Sequence, residues 1–281
     1  MKLYARDSEL DLSFPHVMGI LNITPDSFSD GGSHATLTDA ITHTNEMVNA
    51  GATIIDVGGE STRPGAAEVS TEEELERVIP VVTEIARRFD VWISVDTSWP
   101  EVIREAAQAG AHIINDIRAL QMPGALSAAA DTGLPVCLMH MQGQPKTMQQ
   151  APDYQDVVAD VDRFFTQQIT RCIDGGIKKE NLILDPGFGF GKNLAHNYQL
   201  LAHLHHFHHF GLPLLAGMSR KSMIGQLLNV GPSQRLSGSL ACAVIAAMQG
   251  AQIHRVHDVK ETVEAIRVAE ATLRAKGQHY E

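Results

Sequence analysis

Eight short apolar runs recur along the chain at a mean spacing of about 34 residues, which is typical of a strand followed by a helix. The runs are apolar throughout and do not alternate with polar residues, so they predict strands covered on both faces, as in a parallel sheet. Polar residues stand near the ends of these runs, at Asn22, Asp56, Asp96, Asn115, His140, Asp185, Ser219 and His257. Eight such units within 281 residues predict a closed (β/α)8 barrel, or TIM barrel.

The segments between the apolar runs carry the spacing of amphipathic helices. The clearest example starts after Ser70, which matches the capping-box pattern with Glu73 and precedes apolar residues at intervals of three and four. Similar periodicity predicts helices over residues 37–48, 154–165, 236–247 and 259–266. The alternation of strands with helices therefore favours an α/β fold.

Residues 1–14 predict a short β-hairpin that precedes the first barrel strand and lies at the barrel floor. No linker or change of composition divides the chain, so one barrel domain over residues 1–281 is expected.

The alternative to the closed barrel is an open, doubly wound sheet. The first strand is not followed by a dinucleotide-binding fingerprint, which favours the closed barrel.

The composition narrows the choice of partners. The formal net charge is −11 and no basic patch is present, which argues against a nucleic-acid partner. No uncharged apolar run of about 18 residues occurs, so no membrane span is expected. Three widely spaced cysteines lie in apolar patterns and predict buried free thiols in a reducing, cytoplasmic setting: Cys137, Cys172 and Cys242.

Three polar residues that end apolar runs form the first half of a candidate site, because barrel enzymes carry their sites at the carboxyl ends of the strands. They are Asp96, Asn115 and Asp185. One such acid could simply cap the next helix, but three polar groups on one rim favour a ligand. Carboxylates accept paired N–H groups from an edge such as that of a 2-aminopyrimidinone, and an amide both donates and accepts.

The second half of the candidate site is mainly cationic. Its members follow predicted strands one, two, seven and eight: Asn22, Arg63, Ser219, Arg220, Lys221, Ser222, Arg255 and His257. Loops after strands seven and eight often bind phosphate in this fold, and a helix that opens at Ser222 would favour an anion. A solvated surface is the alternative, but Arg255 and His257 share one face of an apolar strand. His254 then points the other way, into packing or solvent.

Two long loops, over residues 22–35 and 58–69, are rich in Gly, Pro and small polar residues and predict lids over the site. The GFGFGK segment at 187–192 resembles a phosphate loop, but Pro186 and Asn193 break the Walker pattern. We interpret it as a tight turn that carries Phe190 over the pocket.

Two histidine signals are discounted. His205 and His209 would lie four residues apart on an α-helix, a spacing compatible with a metal, but no glutamate completes an HExxH pattern. A surface helix face is the favoured interpretation. His140 ends an apolar run, but the sequence offers no nucleophile beside it.

Seven motifs in order resemble those of the dihydropteroate synthase family: NITPDSFSDGG, DVGGESTRPGA, SVDTS, INDI, DPGFGFGK, GMSRKS and RVHDV. They extend over residues 18–259. The resemblance implies a TIM barrel that joins 6-hydroxymethyl-7,8-dihydropterin diphosphate to 4-aminobenzoate and releases diphosphate. It also implies Mg2+ as cofactor, sulfonamides as competitive inhibitors, and a homodimer in the bacterial cytosol.

The resemblance further implies roles for individual residues. The pterin would be held by Asp96, Asn115, Met139, Asp185, Phe190, Gly217 and Lys221. The diphosphate would be held by Asn22 with Mg2+, and by Asp30, Arg63, Arg255 and His257. The aminobenzoate pocket would comprise Phe28, Thr62, Arg63, Pro64, Ser219, Lys221 and Ser222. The catalytic set would be Asp96, Asp185, Lys221, Asn22 and Arg63, in a dissociative reaction in which diphosphate leaves before the arylamine attacks.

Three other functions remain open at this point. A pterin-dependent methyl-transfer barrel would share the acid–amide–acid pattern but lack a diphosphate site, which Lys221, Arg255 and His257 oppose. A Schiff-base aldolase would use Lys221, but GMSRKS puts that lysine in a turn. A non-catalytic pterin-binding module would be expected to have lost part of the anion cluster or of the lid motifs.

Overall fold

The computed structural model describes residues 1–23, 32–60, 69–143, 148, 152–275 and 277. A two-stranded hairpin comes first, with β1 at Lys2–Ala5 and β2 at Ser8–Asp11. Eight further strands follow: β3 His16–Asn22, β4 Ile54–Gly58, β5 Trp92–Asp96, β6 Ile113–Asp116, β7 Val136–Met139, β8 Leu182–Asp185, β9 Leu215–Ala216 and β10 Ile253–Val256.

The eight strands β3–β10 form a parallel barrel. The sheet order is β8-β7-β6-β5-β4-β3-β10-β9, so neighbours in the chain are neighbours in the sheet and β10 returns to β3. An isolated parallel bridge between Leu184 and Leu214 joins the two ends, and the Leu184 amide donates to the Pro213 carbonyl oxygen at 2.9 Å. The predicted closed barrel is confirmed, and the open doubly wound sheet is excluded.

Helices cover the outside of the barrel. Among the described residues they are α1 Gly32–Asn49, α2 Thr71–Arg88, α3 Pro100–Ala109, α4 Ala125–Thr132, α5 Val157–Asp174, α6 Leu194–Ala202, α7 Ser222–Leu228, α8 Leu236–Met248 and α9 Val259–Ala275. The predicted capping box is formed, since the Glu73 amide donates to Ser70 Oγ at 3.2 Å and the Ser70 amide donates to Glu73 Oε2 at 3.1 Å. No helix in the described part of the chain is long and apolar enough to cross a membrane.

The predicted surface helix near His205 is present, but its type differs from the α-helical spacing considered in the sequence. The residues Leu204–Phe210 form a 3-10 helix and not an α-helix. With three residues per turn, side chains three positions apart share a face, so His205 and His209 do not lie on one face as the sequence suggested.

The hairpin covers the amino-terminal end of the barrel, as predicted. Leu3, Leu10 and Leu12 are buried. His16, the first residue of β3, donates from Nε2 to the Asp11 carbonyl oxygen at 2.8 Å, and its Nδ1 lies 2.9 Å from Thr53 Oγ1. The hairpin therefore closes the barrel floor and leaves the opposite mouth to the site.

The strand register brings polar residues to that mouth. Asn22 pairs with Gly58, Gly58 with Asp96, and Asp96 with Asn115. Residues that pair across neighbouring strands lie at the same height and point to the same side of the sheet. The four consecutive strands β3 to β6 thus present these four residues as one row at the carboxyl rim of the barrel.

Candidate active site

Arg255, on β10, ties together two carboxylates inside the barrel. Its Nε donates to Asp56 Oδ2 at 2.6 Å and its Nη2 donates to Asp96 Oδ2 at 2.9 Å. The amide of Asn115 donates to both oxygens of Asp56, at 3.3 and 3.2 Å. Asp56 is fully buried and Arg255 is about four-fifths buried, so this network lies below the rim.

The network carries two carboxylates and one guanidinium. Burial raises the pKa of Asp96 to about 8; Arg255 opposes the rise, and the like charge of Asp56 adds to it. Burial thus favours the neutral form of Asp96, whereas the ion pair with Arg255 favours its charged form. N–H donors on a bound ligand would favour the charged form of Asp96 further.

Asp185 and Lys221 face the network from the other strands. The Gly187 amide donates to Asp185 Oδ1 at 2.8 Å. Burial raises the pKa of Asp185, and the positive charges of Lys221, Lys192 and Arg255 oppose that rise. Since Lys221 and Arg255 both act on one buried carboxyl group, the acidic and cationic halves expected from the sequence lie at the same mouth.

Lys221 immediately precedes α7. Its Nζ donates to the Phe188 carbonyl oxygen at 2.5 Å and lies 4.6 Å from the centroid of the Phe190 ring. Burial lowers the pKa of Lys221 to about 8, although Asp185 raises it. The ammonium group thus stands over an aromatic face beside a buried acid.

An apolar wall lies next to Asp185. Met139, which pairs with Asp185 across β7 and β8, packs in one buried cluster with Ile117, Met148 and Phe190. Polarisable sulfur atoms and an aromatic ring suit contact with a flat heterocycle. The wall and the acids together can bind a planar ring by its faces and its edge.

Lys192, the last residue of the GFGFGK segment, holds the loop that carries Phe190. Its buried Nζ donates to His140 Nδ1 at 2.9 Å and to the carbonyl oxygens of Gly187, Phe190 and His140 at 2.9, 3.0 and 3.2 Å. Burial, aided by the Lys192 charge, lowers the pKa of His140 to about 2, so its imidazole is neutral and accepts. The tight turn expected from the sequence is present, and Lys192 stabilises it from within.

Comparisons with known proteins agree with this geometry. The family model described as "Pterin binding enzyme" matches residues 18–257. Dihydropteroate synthase of Escherichia coli strain K12 is 78% identical over 276 residues, which cover 98% of each chain. The chain belongs to the dihydropteroate synthase family.

Solved structures of this family have the same fold. The crystal structure of the Yersinia pestis dihydropteroate synthase with a sulfonamide drug is 70% identical, with a TM-score of 0.94 over 98% of this chain and 100% of that one. The Xanthomonas albilineans enzyme with 4-aminobenzoic acid is 50% identical, with a TM-score of 0.91 over 96% of this chain and 97% of that one.

Most of the expected site residues of a dihydropteroate synthase lie at this mouth. A Cβ placed on Gly58 would lie 3.7 Å from Asp96 Oδ2 and 3.8 Å from Asn22 Oδ1, so both oxygens flank that glycine. A Cβ placed on Gly217 would lie 3.7 Å from Arg255 Cβ. Gly217 thus lies beside the base of the Arg255 side chain.

Ser219 and His257 form a polar pair after β9 and β10. The His257 amide donates to Ser219 Oγ at 3.1 Å, and His257 Nδ1 lies 3.0 Å from the same oxygen. Ser222 is exposed in the first turn of α7. Five further residues expected in the site lie outside the described residues: Phe28, Asp30, Thr62, Arg63 and Pro64.

The structure changes the interpretation of one basic residue, Arg220, and agrees with that of His254. The Arg220 guanidinium is paired with Asp258, with Nε 3.0 Å from Oδ2, so it forms an ion pair at the surface of the loop. His254 points away from Arg255, as expected, and is buried with Nε2 3.1 Å from the Ala251 carbonyl oxygen.

Two residues of the site were missed by sequence reasoning. Asp56 was expected near the end of its strand but was not assigned to the site, and the structure places it in the middle of β4. Lys192 was set aside with the phosphate-loop pattern. An acid within an otherwise apolar strand was the available signal for Asp56, because a buried charge requires a partner; Lys192 had no comparable signal.

Gly187→Ala tests how rigidly Lys192 holds this loop. Gly187 has φ +72°, and an added Cβ would lie 1.8 Å from the His140 carbonyl oxygen. The matched control is Gly133→Ala, where φ is +67° and no atom lies within 4 Å. The control should lose about 1–2 kcal/mol of unfolding free energy from the left-handed backbone alone. Gly187→Ala should lose clearly more in urea titrations; equal losses would show that the carbonyl moves aside freely.

Proposed function

We propose that the chain is a dihydropteroate synthase, a transferase that joins 6-hydroxymethyl-7,8-dihydropterin diphosphate to 4-aminobenzoate. The products are 7,8-dihydropteroate and diphosphate. The observation that carries the proposal is the convergence of Arg255, Asp56 and Asp96 with Asp185 and Lys221 at one barrel mouth. Such a mouth can hold a heterocycle by buried acids and its leaving group by cations.

The pterin is recognised at its edge and its faces. Asp96 and Asp185 accept N–H groups of the aminopyrimidinone ring, and Asn115 supplies an amide between them. Lys221 donates to a ring acceptor from above the Phe190 ring. Met139 and Phe190 form the apolar contact, and Gly217 leaves space for the ring.

The diphosphate binds on the cationic side. Arg255 has five N–H donors, and its Nε and Nη2 are engaged with Asp56 and Asp96, so donors on the other terminal nitrogen remain for phosphate oxygens. His257 lies beside Arg255 at the end of β10. Asp30 and Arg63 would complete this subsite from outside the described residues.

Mg2+ fits the residues at the rim. The amide oxygen of Asn22 flanks Gly58 together with Asp96 Oδ2, and oxygen donors at a half-exposed position suit an ion that keeps several waters and shares substrate phosphates. Asn22 would be its protein ligand. When bound, Mg2+ neutralises charge on the leaving diphosphate.

The reaction proceeds by dissociation. The bond between the pterin methylene carbon and the diphosphate oxygen breaks, and the electron pair leaves with diphosphate. Asp96 and Asp185 stabilise the positive charge that develops on the pterin. The neutral amine of 4-aminobenzoate attacks the methylene carbon and then loses a proton, so no protein nucleophile is required.

The second substrate binds between α7 and the two predicted lids. Ser219, Lys221 and Ser222 supply the described part of this pocket. Four further residues come from the segments outside it: Phe28, Thr62, Arg63 and Pro64. Sulfonamides resemble 4-aminobenzoate in shape and charge and compete with it there.

Assembly and location follow the family. We propose a homodimer, supported by large apolar side chains that are exposed on α7 and α8: Leu227, Leu228, Leu236, Ile245 and Met248. We also propose a cytosolic location, supported by the three free, buried cysteines.

Release of diphosphate when both substrates are mixed tests the proposed reaction. A dihydropteroate synthase releases one diphosphate per dihydropteroate formed. Pterin binding without release would favour a binding module, and transfer of a methyl group without diphosphate chemistry would favour the methyl-transfer barrel. Borohydride trapping of a carbonyl substrate on Lys221 would favour the aldolase.

The pH dependence of pterin binding tests Lys221. Because burial lowers its pKa to about 8, Lys221 is charged at neutral pH and loses its proton as pH rises past that value. Affinity for an oxidised pterin without diphosphate should then decrease, by up to about tenfold per pH unit. Lys221→Arg stays charged, so the ratio of wild-type to variant affinity isolates Lys221 from Asp96, which titrates in the same range. A ratio that is constant with pH would contradict this role.

A further inference from the structure

The sequence LHHFHHF at 204–210 is a triplet repeat that matches the period of the 3-10 helix it forms. Leu204, Phe207 and Phe210 occupy one row, and the first two are fully buried. His206 and His209 form a second row. Because side chains three positions apart are eclipsed in a 3-10 helix, these two imidazoles stand side by side, with ring centroids 5.2 Å apart.

The other two histidines of the repeat form a third row that faces elsewhere. His205 Nδ1 lies 2.7 Å from Gln249 Oε1, and His208 Nε2 lies 3.1 Å from the Gln249 carbonyl oxygen. Gln249 follows the last residue of α8. This row therefore ties the 3-10 helix to α8, whereas His206 and His209 face α5.

His206 and His209 converge on one carboxylate. Their Nε2 atoms lie 3.0 and 2.5 Å from Oδ2 of Asp162, on α5, and the candidate ligand atoms of the three residues all lie within 4.8 Å of one another. The imidazoles are about half exposed and Asp162 is a quarter exposed. In the parts of the chain that the structure describes, no other group of three His, Cys, Asp or Glu side chains converges in this way.

The distances between the candidate ligand atoms are close to those in a metal site. Bonds of about 2.0–2.2 Å to a tetrahedral Zn2+ put ligand atoms about 3.4 Å apart. An ion that enters between the carboxylate and the two imidazoles therefore needs movements of about 1 Å, within the reach of half-exposed side chains. Two imidazoles and one carboxylate match zinc in ligand type, and the open fourth position is left for water.

The scaffold holds the three ligands in place. Phe165, one turn after Asp162, packs edge-on against Phe207 with centroids 5.6 Å apart, and both rings are fully buried. Each ligand histidine directly precedes a phenylalanine that packs against the core. The ligands therefore come from two elements that are fixed to each other through the core.

We propose that Asp162, His206 and His209 form a binding site for a divalent transition-metal ion, with Zn2+ as the ion that its ligand set favours. The site lies on the outer wall of the barrel and is separate from the mouth where the substrates bind. A bound ion cross-links α5 to the 3-10 helix and binds only the folded chain, so it raises the stability of the protein.

Calorimetric titration of the metal-stripped, full-length enzyme with ZnCl2, in excess Mg2+, tests the proposal. The wild type should bind one Zn2+ at this site, and His206→Gln, His209→Gln and Asp162→Asn should each weaken that binding at least about tenfold. His205→Gln is the matched control, since it removes a histidine of the same helix from the row that faces Gln249. Turnover should be unchanged in all four variants.

Substitution with Co2+ supplies a second, spectroscopic readout that is independent of the calorimetry. The wild type should show the intense visible absorption of a low-coordinate cobalt site, and His206→Gln should lack it. The proposal is overturned if the wild type binds no Zn2+, if His206→Gln and Asp162→Asn bind it as tightly as the wild type, or if His205→Gln loses it to the same extent.

Discussion

Asp96→Asn is expected to lower kcat by about a thousandfold while the barrel remains folded. The variant keeps the shape of the side chain and an oxygen for Arg255 Nη2, which donates to Asp96 at 2.9 Å. It removes the charge that stabilises the developing pterin cation, and it presents an NH2 group where the ring offers N–H donors. Asp96→Ala should abolish turnover. Steady-state kinetics with both substrates measure the loss.

The stability of Asp96→Asn separates a catalytic effect from a folding defect. The pKa of Asp96 is raised to about 8, above the usual value near 4 of an unfolded chain, so the folded state binds the extra proton between these values. This contribution makes the wild type less stable as pH rises through that window. Asp96→Asn should match or exceed the wild type in unfolding free energy near pH 7.

The exposed Asp131→Asn, on α4, is the control for this experiment. It makes the same change of charge on the outside of the barrel and should leave kcat unchanged. Near-normal turnover of Asp96→Asn would contradict the proposed mechanism.

Arg255→Met is expected to lower the free energy of unfolding by about 3–5 kcal/mol, because it leaves Asp56 and Asp96 buried without their counter-charge. It should also weaken binding of the pterin diphosphate, since the phosphate loses its guanidinium partner. Urea unfolding measures the first effect, and calorimetry with the diphosphate substrate measures the second.

Two further variants make the Arg255 prediction specific. Arg274→Met removes an exposed arginine that is paired with Glu270 on α9, and should change stability by at most about 1 kcal/mol. Arg255→Met combined with Asp96→Asn removes one of the two stranded charges and should recover part of the stability but none of the turnover. A double variant no more stable than Arg255→Met would show that charge is not the source of the loss.

The fold could be predicted from the sequence because its signals are local and periodic. Apolar runs at a regular spacing gave the eight strands, and the pattern of Ser70 with Glu73 gave the start of α2. The residues 204–210 show the limit of this reasoning. The sequence fits both an α-helical spacing of His205 and His209 and a triplet repeat, and the burial of Leu204 and Phe207 against the core decides for the period of three.

The candidate site was predictable where a polar residue ends a strand. Asp96, Asn115 and Asp185 were found for this reason, since the carboxyl ends of all barrel strands meet at one mouth. Asp56 was missed as a site residue because its partner Arg255 is 199 residues away, and no local pattern contains both. Lys192 was missed because its four acceptors exist only after the loop has folded around it.

The sequence by itself thus determined the barrel, its carboxyl-end site and the family motifs, because strand period, helix period and chain order are properties of neighbouring residues. The tertiary structure alone decided which charges share a partner. Closure of the barrel puts one guanidinium between two distant carboxylates, and the packing of α5 against the 3-10 helix turns two of the four histidines of residues 204–210 toward Asp162. Ion pairing depends on distances of a few ångströms, which only the packed chain defines.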